Sequence, residues 1–194
     1  MTTLQIHTFS PFGEDTAQAV RKAAESATGL QKVYIGRQLE NPEHGYYVLQ
    51  WASGRQPSID RTPDLVGAGV LKRISSPTTV KITSESEHQI QAVLEAPVQE
   101  FAIATLRAPE NREQWEHILG LTTEGVRVTE GAIGSIQGLA ADDDGRYVLI
   151  LGWESHEAHM RALGSEYAKD VMKQTLELVD FQVKHAEKVS YDAV

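Results

Sequence analysis

Apolar and polar residues alternate along Leu4–Phe9, the period-2 signature of a half-buried strand, and Lys32–Leu39 and Tyr46–Trp51 read as two further strands. Between the first two, Ala17, Val20, Ala24 and Ala27 recur at helical spacing from Glu14 onward, and Gly29 supplies a stop. A turn rich in breakers, Glu40 to Gly45, joins the second and third strands. Thr62-Pro63-Asp64 reads as an N-cap with Pro at the first helical position, opening a helix weakened by Gly67 and Gly69. Thr78–Thr83 closes this order as a strand.

The same order then returns. Phe101–Arg107 reads as a strand, and Asn111 with Gln114 as a capping box for a helix burying Trp115, Ile118 and Leu119. Val126–Gly138 reads as an irregular strand, and Asp142-Asp143-Asp144-Gly145 as a hairpin turn into the strand Tyr147–Trp153. Ser155 caps a short helix, Glu166–Leu178 makes a longer one, and Val179–His185 alternates as the last strand. The repeat is visible in the letters: Gly45-Tyr46-Tyr47-Val48-Leu49 matches Gly145-Arg146-Tyr147-Val148-Leu149 at an offset of 100 residues. Trp51-Ala52-Ser53 matches Trp153-Glu154-Ser155, and Phe9-Ser10-Pro11 matches Arg107-Ala108-Pro109. The order βαββαβ, twice, predicts an α+β fold of two ferredoxin-like units in tandem: 1–84, a connector over 85–97, and 98–194. Two such sheets placed face to face form a dimeric α+β barrel, here within one chain.

Composition narrows the function classes. The chain of 194 residues holds 18 basic and 27 acidic side chains and no cysteine. That excludes disulfides, a thiolate nucleophile and thiolate-held metals, and the negative balance argues against a nucleic-acid backbone as partner. No apolar run approaches the roughly 20 residues of a membrane span. Met1–His7 has neither a basic region nor an apolar core, so a cytoplasmic protein without membrane partner is expected. The charge is uneven: residues 98–194 carry 17 acidic and 9 basic groups, residues 1–97 carry 10 and 9, so one working pocket is expected rather than two equivalent ones.

Tyr147 to Trp153, continuing Glu154-Ser155-His156-Glu157-Ala158-His159 and then Gly164-Ser165-Glu166-Tyr167, resembles the antibiotic-biosynthesis-monooxygenase-like group of the dimeric α+β barrel superfamily, with Trp51-Ala52-Ser53 as a degenerate copy. The resemblance implies a barrel, monomeric or homodimeric, that binds a hydrophobic aromatic or polyketide-like molecule. It implies cofactor-independent monooxygenase-type chemistry. Cyclisation or isomerisation by proton transfer, and a non-catalytic ligand-binding or stress-related barrel, are the alternatives. The Asn and His by which haem-degrading members are known are replaced here by His7 or Thr105 and by Arg61 or Leu163; the Asn of the phenol oxygenases is replaced by Tyr47 or Leu149.

Strand parity suggests the lining of the pocket. Gln5, His7 and Phe9 share a face, as do Thr105 and Arg107; by the resemblance Tyr47, Leu49 and Trp51, with Tyr147, Leu149, Leu151 and Trp153, face the cavity too. The small set Ala102, Ala104 and Leu106 is expected under helices. His7 is the candidate proton carrier, Tyr47 and Tyr147 the groups that polarise a ligand oxygen, and Trp51 and Trp153 ring-stacking platforms. Gln5, Phe9, Thr105 and Arg107 complete the binding set. His156 and His159 lie three apart at a helix start, with Glu154 or His185 as a third ligand, a spacing compatible with a metal or haem. Exposed histidines are the commoner case, so neither metal nor cofactor is assigned.

Overall fold

The computed structural model describes residues 2–25, 28–52, 72–73, 77–82 and 85–189. The helix expected after Thr62-Pro63-Asp64, with Arg61 before it, lies outside these. The chain divides into two compact units, Met1–Ser84 with Ala186–Val194, and Glu85–His185.

In the first unit the strands are β1 (Thr2–Ser10), β2 (Leu30–Gln38), β3 (Gly45–Trp51), β4 (Lys72–Arg73) and β5 (Thr78–Ile82), with helix α1 (Glu14–Glu25) between β1 and β2. β1 runs between β3 and β5, antiparallel to both, and β3 pairs with β2. The order β2–β3–β1–β5 is that of a ferredoxin-like sheet. At the far edge of β2, Gly36, Arg37 and Gln38 pair with Lys188, Glu187 and Ala186, so the end of the chain adds a further strand. Arg37 donates to the Glu187 carboxylate at 3.1 Å there. Ala17 and Val20 of α1 pack on Phe9, Ile35, Tyr47, Leu49 and Trp51, giving this unit its core. The apolar spacing of α1 puts that stripe on the sheet.

The second unit holds α2 (Glu87–Leu94), β6 (Val98–Leu106), α3 (Arg112–Val128), β7 (Ala132–Ala140), β8 (Asp143–Trp153), α4 (His156–Leu163), α5 (Glu166–Leu178) and β9 (Val179–Lys188), the last crossing into the first unit at Ala186. The strand order β9–β6–β8–β7 is again ferredoxin-like. The polar stretch 85–97 is a folded part of this unit. Ser86 caps α2 by accepting from the Gln89 amide, Gln89 donates from its side chain to the Ser135 carbonyl at 2.8 Å, and Ile90, Val93 and Leu94 are buried. Gly152 makes that docking possible, because a Cβ there would stand 2.9 Å from Ala96 Cβ and 3.2 Å from the Val93 backbone.

Two local expectations are corrected. α3 continues to Val128, where a strand was expected to have begun at Val126. Thr122 returns its hydroxyl to the Ile118 carbonyl at 2.9 Å, which keeps this β-branched residue compatible with the helix, and Thr129, the C-cap, donates to the Gly125 carbonyl at 2.7 Å. Asn111 does not cap α3. It donates instead from its side chain to the Leu178 carbonyl at 3.1 Å, at the end of a short 3-10 turn over Pro109–Asn111. The expected cap at Ser155 does form, and Ser165 caps α5 in the same way, each hydroxyl accepting from the amide three residues on.

Candidate functional site

The register of β6 on β8 decides which side chains meet. Ala102 faces Leu149, Glu100 faces Leu151, Val98 faces Trp153 and Ala104 faces Tyr147. Directly opposed residues share a face of an antiparallel pair. Tyr147, Leu149, Leu151 and Trp153 therefore stand with the small set Ala102 and Ala104, under α3, α4 and α5, and not with Thr105 and Arg107. The sequence-based assignment of those two sets to opposite faces is corrected by this pairing. Parity within one strand says which residues agree, never which face is covered.

Between that face and the helices lies a cavity of about 120 Å³, lined among others by Ala102, Trp115, Leu149, Leu151, Trp153 and Met172. Glu100 and His159 stand together in its wall, the rest of whose polar lining is hydroxyls such as Thr122, Thr129 and Thr175. The His159 Nε2 lies 3.2 Å from Glu100 Oε2. Trp153 Nε1–H donates to the same oxygen at 3.2 Å. Both members of the pair are buried, Glu100 at 7% exposure and His159 at 3%. Burial is the larger influence on each. It pushes the Glu100 carboxyl up to about 7, opposed only by the Trp153 hydrogen bond. It pulls the His159 imidazole down to about 4, helped by the neighbouring His185 and His156. An ion pair would move both the other way; here desolvation outweighs attraction, and both groups shift toward their neutral forms.

Local sequence explains the placement. Ser155 starts α4 just after Trp153, so one turn brings Ala158 and His159 inward while His156 stays exposed. Gly131, at φ +79, gives α4 its seat on the sheet: a Cβ there would lie 2.6 Å from Ala158 Cβ. The expectation of two exposed histidines is thus corrected at His159. His156, His159 and His185 form a cluster, with ring centroids 4.8 Å apart for His159 and His185 and 5.4 Å for His156 and His185. At the cavity's outer end Tyr167 donates to the Leu121 carbonyl at 2.7 Å and lies against Gly125, where no side chain would fit beneath its ring.

The remaining sequence candidates fall in three places. In the first unit His7 pairs with Tyr47 and Gln5 with Leu49, so His7, Gln5, Phe9, Tyr47 and Trp51 share the face covered by α1. His7 stacks on Tyr47, centroids 4.2 Å apart and 14° from parallel. Both Gln5 amide atoms and Trp51 Nε1 are buried without a hydrogen-bond partner among the described residues. Tyr147 lies beside the second unit's cavity rather than in its wall. Its hydroxyl donates to Glu116 at 3.0 Å and accepts from Arg112 at 3.1 Å. Burial, then Glu116, raise that phenol above its ordinary value. On the opposite face Arg107 is exposed and paired with Asp180 at 3.1 Å, and Thr105 lies opposite Arg146.

Of the residues singled out from the sequence, Trp153 lines the cavity, together with Leu149, Leu151 and His159. Glu100 was missed because the strand was read as starting at Phe101. The available signal was a carboxylate continuing the parity of Ala102 and Ala104 on an otherwise apolar face.

No family profile matches the chain, and no curated protein sequence matches it. Solved structures do. A proposed monooxygenase of Fusobacterium nucleatum superposes with a TM-score of 0.67 at 12% identity, over 97% of this chain and 93% of that one. An anthrone oxidase-like protein gives 0.63 at 11% identity, covering 97% and 91%. A major regulator of staphylococcal pathogenesis gives 0.60 at 9% identity, covering 97% and 99%. At such identities the likeness is one of fold. Among the described residues, no helix is long and apolar enough to cross a membrane.

Proposed function

The chain has the antibiotic-biosynthesis-monooxygenase-like dimeric α+β barrel fold, and from that premise we propose that its second unit is an enzyme of monooxygenase type acting on a small hydrophobic aromatic or polyketide-like molecule. One observation carries the reading: an apolar cavity with a buried carboxyl–imidazole pair in its wall. Ligand sites are built this way, mostly apolar with a few placed polar groups. The volume of about 120 Å³ sets the scale. An apolar cavity of about 150 Å³ takes up benzene, so this smaller one holds at most a single ring.

The chemistry follows from the lining. Trp115, Trp153, Leu149 and Leu151 hold the ring and exclude water. A phenol or enol hydroxyl at the polar wall hydrogen-bonds to Glu100 and His159, drawing charge into the ring. Such an electron-rich ring reduces O2 itself, so the reading requires no redox cofactor. A ring CH2 becomes a carbonyl, one oxygen atom is retained in it, and the other leaves as water. Trp153 keeps the Glu100 carboxyl aimed.

An oxygen electrode tests this with a panel of anthrone and single-ring enols whose keto form carries a ring CH2. Protein-dependent O2 uptake with a single-ring member, lost in Glu100→Gln, is expected. The regulator that shares the fold favours a second reading, ligand binding without turnover. It is the outcome if a ring compound quenches tryptophan fluorescence while no member of the panel consumes O2 or is rearranged.

A further inference from the structure

The polar wall of the second unit's cavity holds more donors than one hydrogen-bonded pair needs. Glu100, His159 and His185 each offer one ligand atom, and these atoms lie within 4.8 Å of one another. The 3.2 Å between Glu100 Oε2 and His159 Nε2 is the separation that two bonds of about 2.1 Å make at roughly a right angle on one ion. Two bonds of about 2.1 Å span at most about 4.2 Å, so metal binding draws the His185 nitrogen in by some tenths of an ångström. A further observation fits a ligand at this place: Glu100 Oε2 also accepts from the indole N–H of Trp153 at 3.2 Å, the outer-shell support that ligating carboxylates commonly have.

We propose that Glu100, His159 and His185 bind a divalent transition metal of the zinc type, which acts as a Lewis acid on a ligand oxygen in the cavity. Two imidazoles and one carboxylate are a borderline donor set. They suit zinc, cobalt(II) or nickel(II) rather than calcium or magnesium, which ask for oxygen cages. The absence of cysteine excludes a thiolate site. Three protein ligands leave a coordination position, as catalytic zinc sites do, and Glu100 and His159 both reach the cavity wall. A phenol or enol oxygen entering there gives a lone pair to the ion. No electrons change hands, so the metal adds polarisation to the reaction proposed above without supplying redox chemistry. Metal binding itself stands whether or not that reaction is the one catalysed.

The test uses the whole chain, stripped with a chelator and titrated with Co2+ alone. A single equivalent with visible d–d bands is expected, together with a rise in melting temperature on adding Zn2+. His159→Ala and His185→Ala should each weaken Co2+ binding by at least about tenfold, with His117→Ala, an exposed histidine elsewhere, unchanged. His185 is only partly buried, so its variant carries the result if His159→Ala fails to fold. Failure of the wild-type protein to develop the Co2+ bands, or undiminished binding in both variants, overturns the site. Oxygen uptake that persists in chelator-stripped protein overturns the Lewis-acid role while leaving the proposed reaction intact; Co2+ binding without any O2 uptake does the reverse.

Discussion

Replacing either member of the Glu100–His159 pair should expose a pH dependence of stability that the intact pair conceals. In metal-free protein the folded Glu100 carboxyl titrates near 7 against 4.5 unfolded. A raised acid stabilises the fold fully below its unfolded value and loses that contribution as pH climbs through its folded one. The folded His159 imidazole titrates near 4 against 6.5. A depressed base is the mirror case: its contribution is complete above 6.5 and lost as pH falls through 4. Between pH 4.5 and 6.5, folding takes up a proton at one group and releases one at the other, so the wild-type pair contributes almost no slope. Glu100→Gln leaves only the imidazole. Stability relative to wild type, which differs by the missing Glu100 titration, should then rise between pH 4.5 and 7, by about 3 kcal/mol at 1.36 kcal/mol per pKa unit. His159→Gln leaves only the carboxyl, and stability relative to wild type should fall by a similar amount, about 3 kcal/mol, between pH 4 and 6.5, the window of the missing imidazole. Urea unfolding followed by circular dichroism across this range measures both, and subtracting wild type removes the protein's other titrations. Two variants whose offsets from wild type do not change with pH would refute the argument that desolvation governs the pair.

Three further outcomes follow from packing and exposure. Gly152→Ala should cost about 1–3 kcal/mol in chemical denaturation, because its Cβ meets the Val93 backbone rather than a flexible side-chain end. Trp115, 1% exposed in the core that α3 builds, should cost about 3–5 kcal/mol when replaced by Ala, read by the same unfolding assay. Arg107→Ala removes a solvent-exposed pair with Asp180 worth at most about 1 kcal/mol, and should leave both melting temperature and ring-compound binding unchanged.

Much of the architecture was legible in the letters. The matched Tyr-Val-Leu strands and the two Trp-x-Ser endings marked the tandem. Period-2 alternation found β9, where burial alternates. By contrast β3, buried from Gly45 to Trp51 on both faces, was marked by its strand-forming residues and the turn before it. The site was less legible, for reasons of geometry. That His7 and Gln5 agree in parity is a property of one strand; that they lie under α1 depends on which side the helix crosses. That Trp153 belongs with Ala102 and not with Arg107 depends on cross-strand register, which no single strand encodes. His159 was visible as half of an i, i+3 pair, yet its burial comes from the cap at Ser155 and the seat at Gly131. Glu100 stood out only by its charge among small apolar neighbours, and Trp153 only by the resemblance.

The central claim is that the functional cavity lies in the second unit, against Trp153 and His159. Amide and indole chemical-shift mapping while p-cresol is titrated into isotope-labelled protein tests it most directly. The largest shifts are expected on Leu149, Leu151, His159 and the Trp153 indole N–H, with His7, Tyr47 and Trp51 unmoved. Shifts concentrated on His7, Tyr47 and Trp51, or none anywhere, would contradict it.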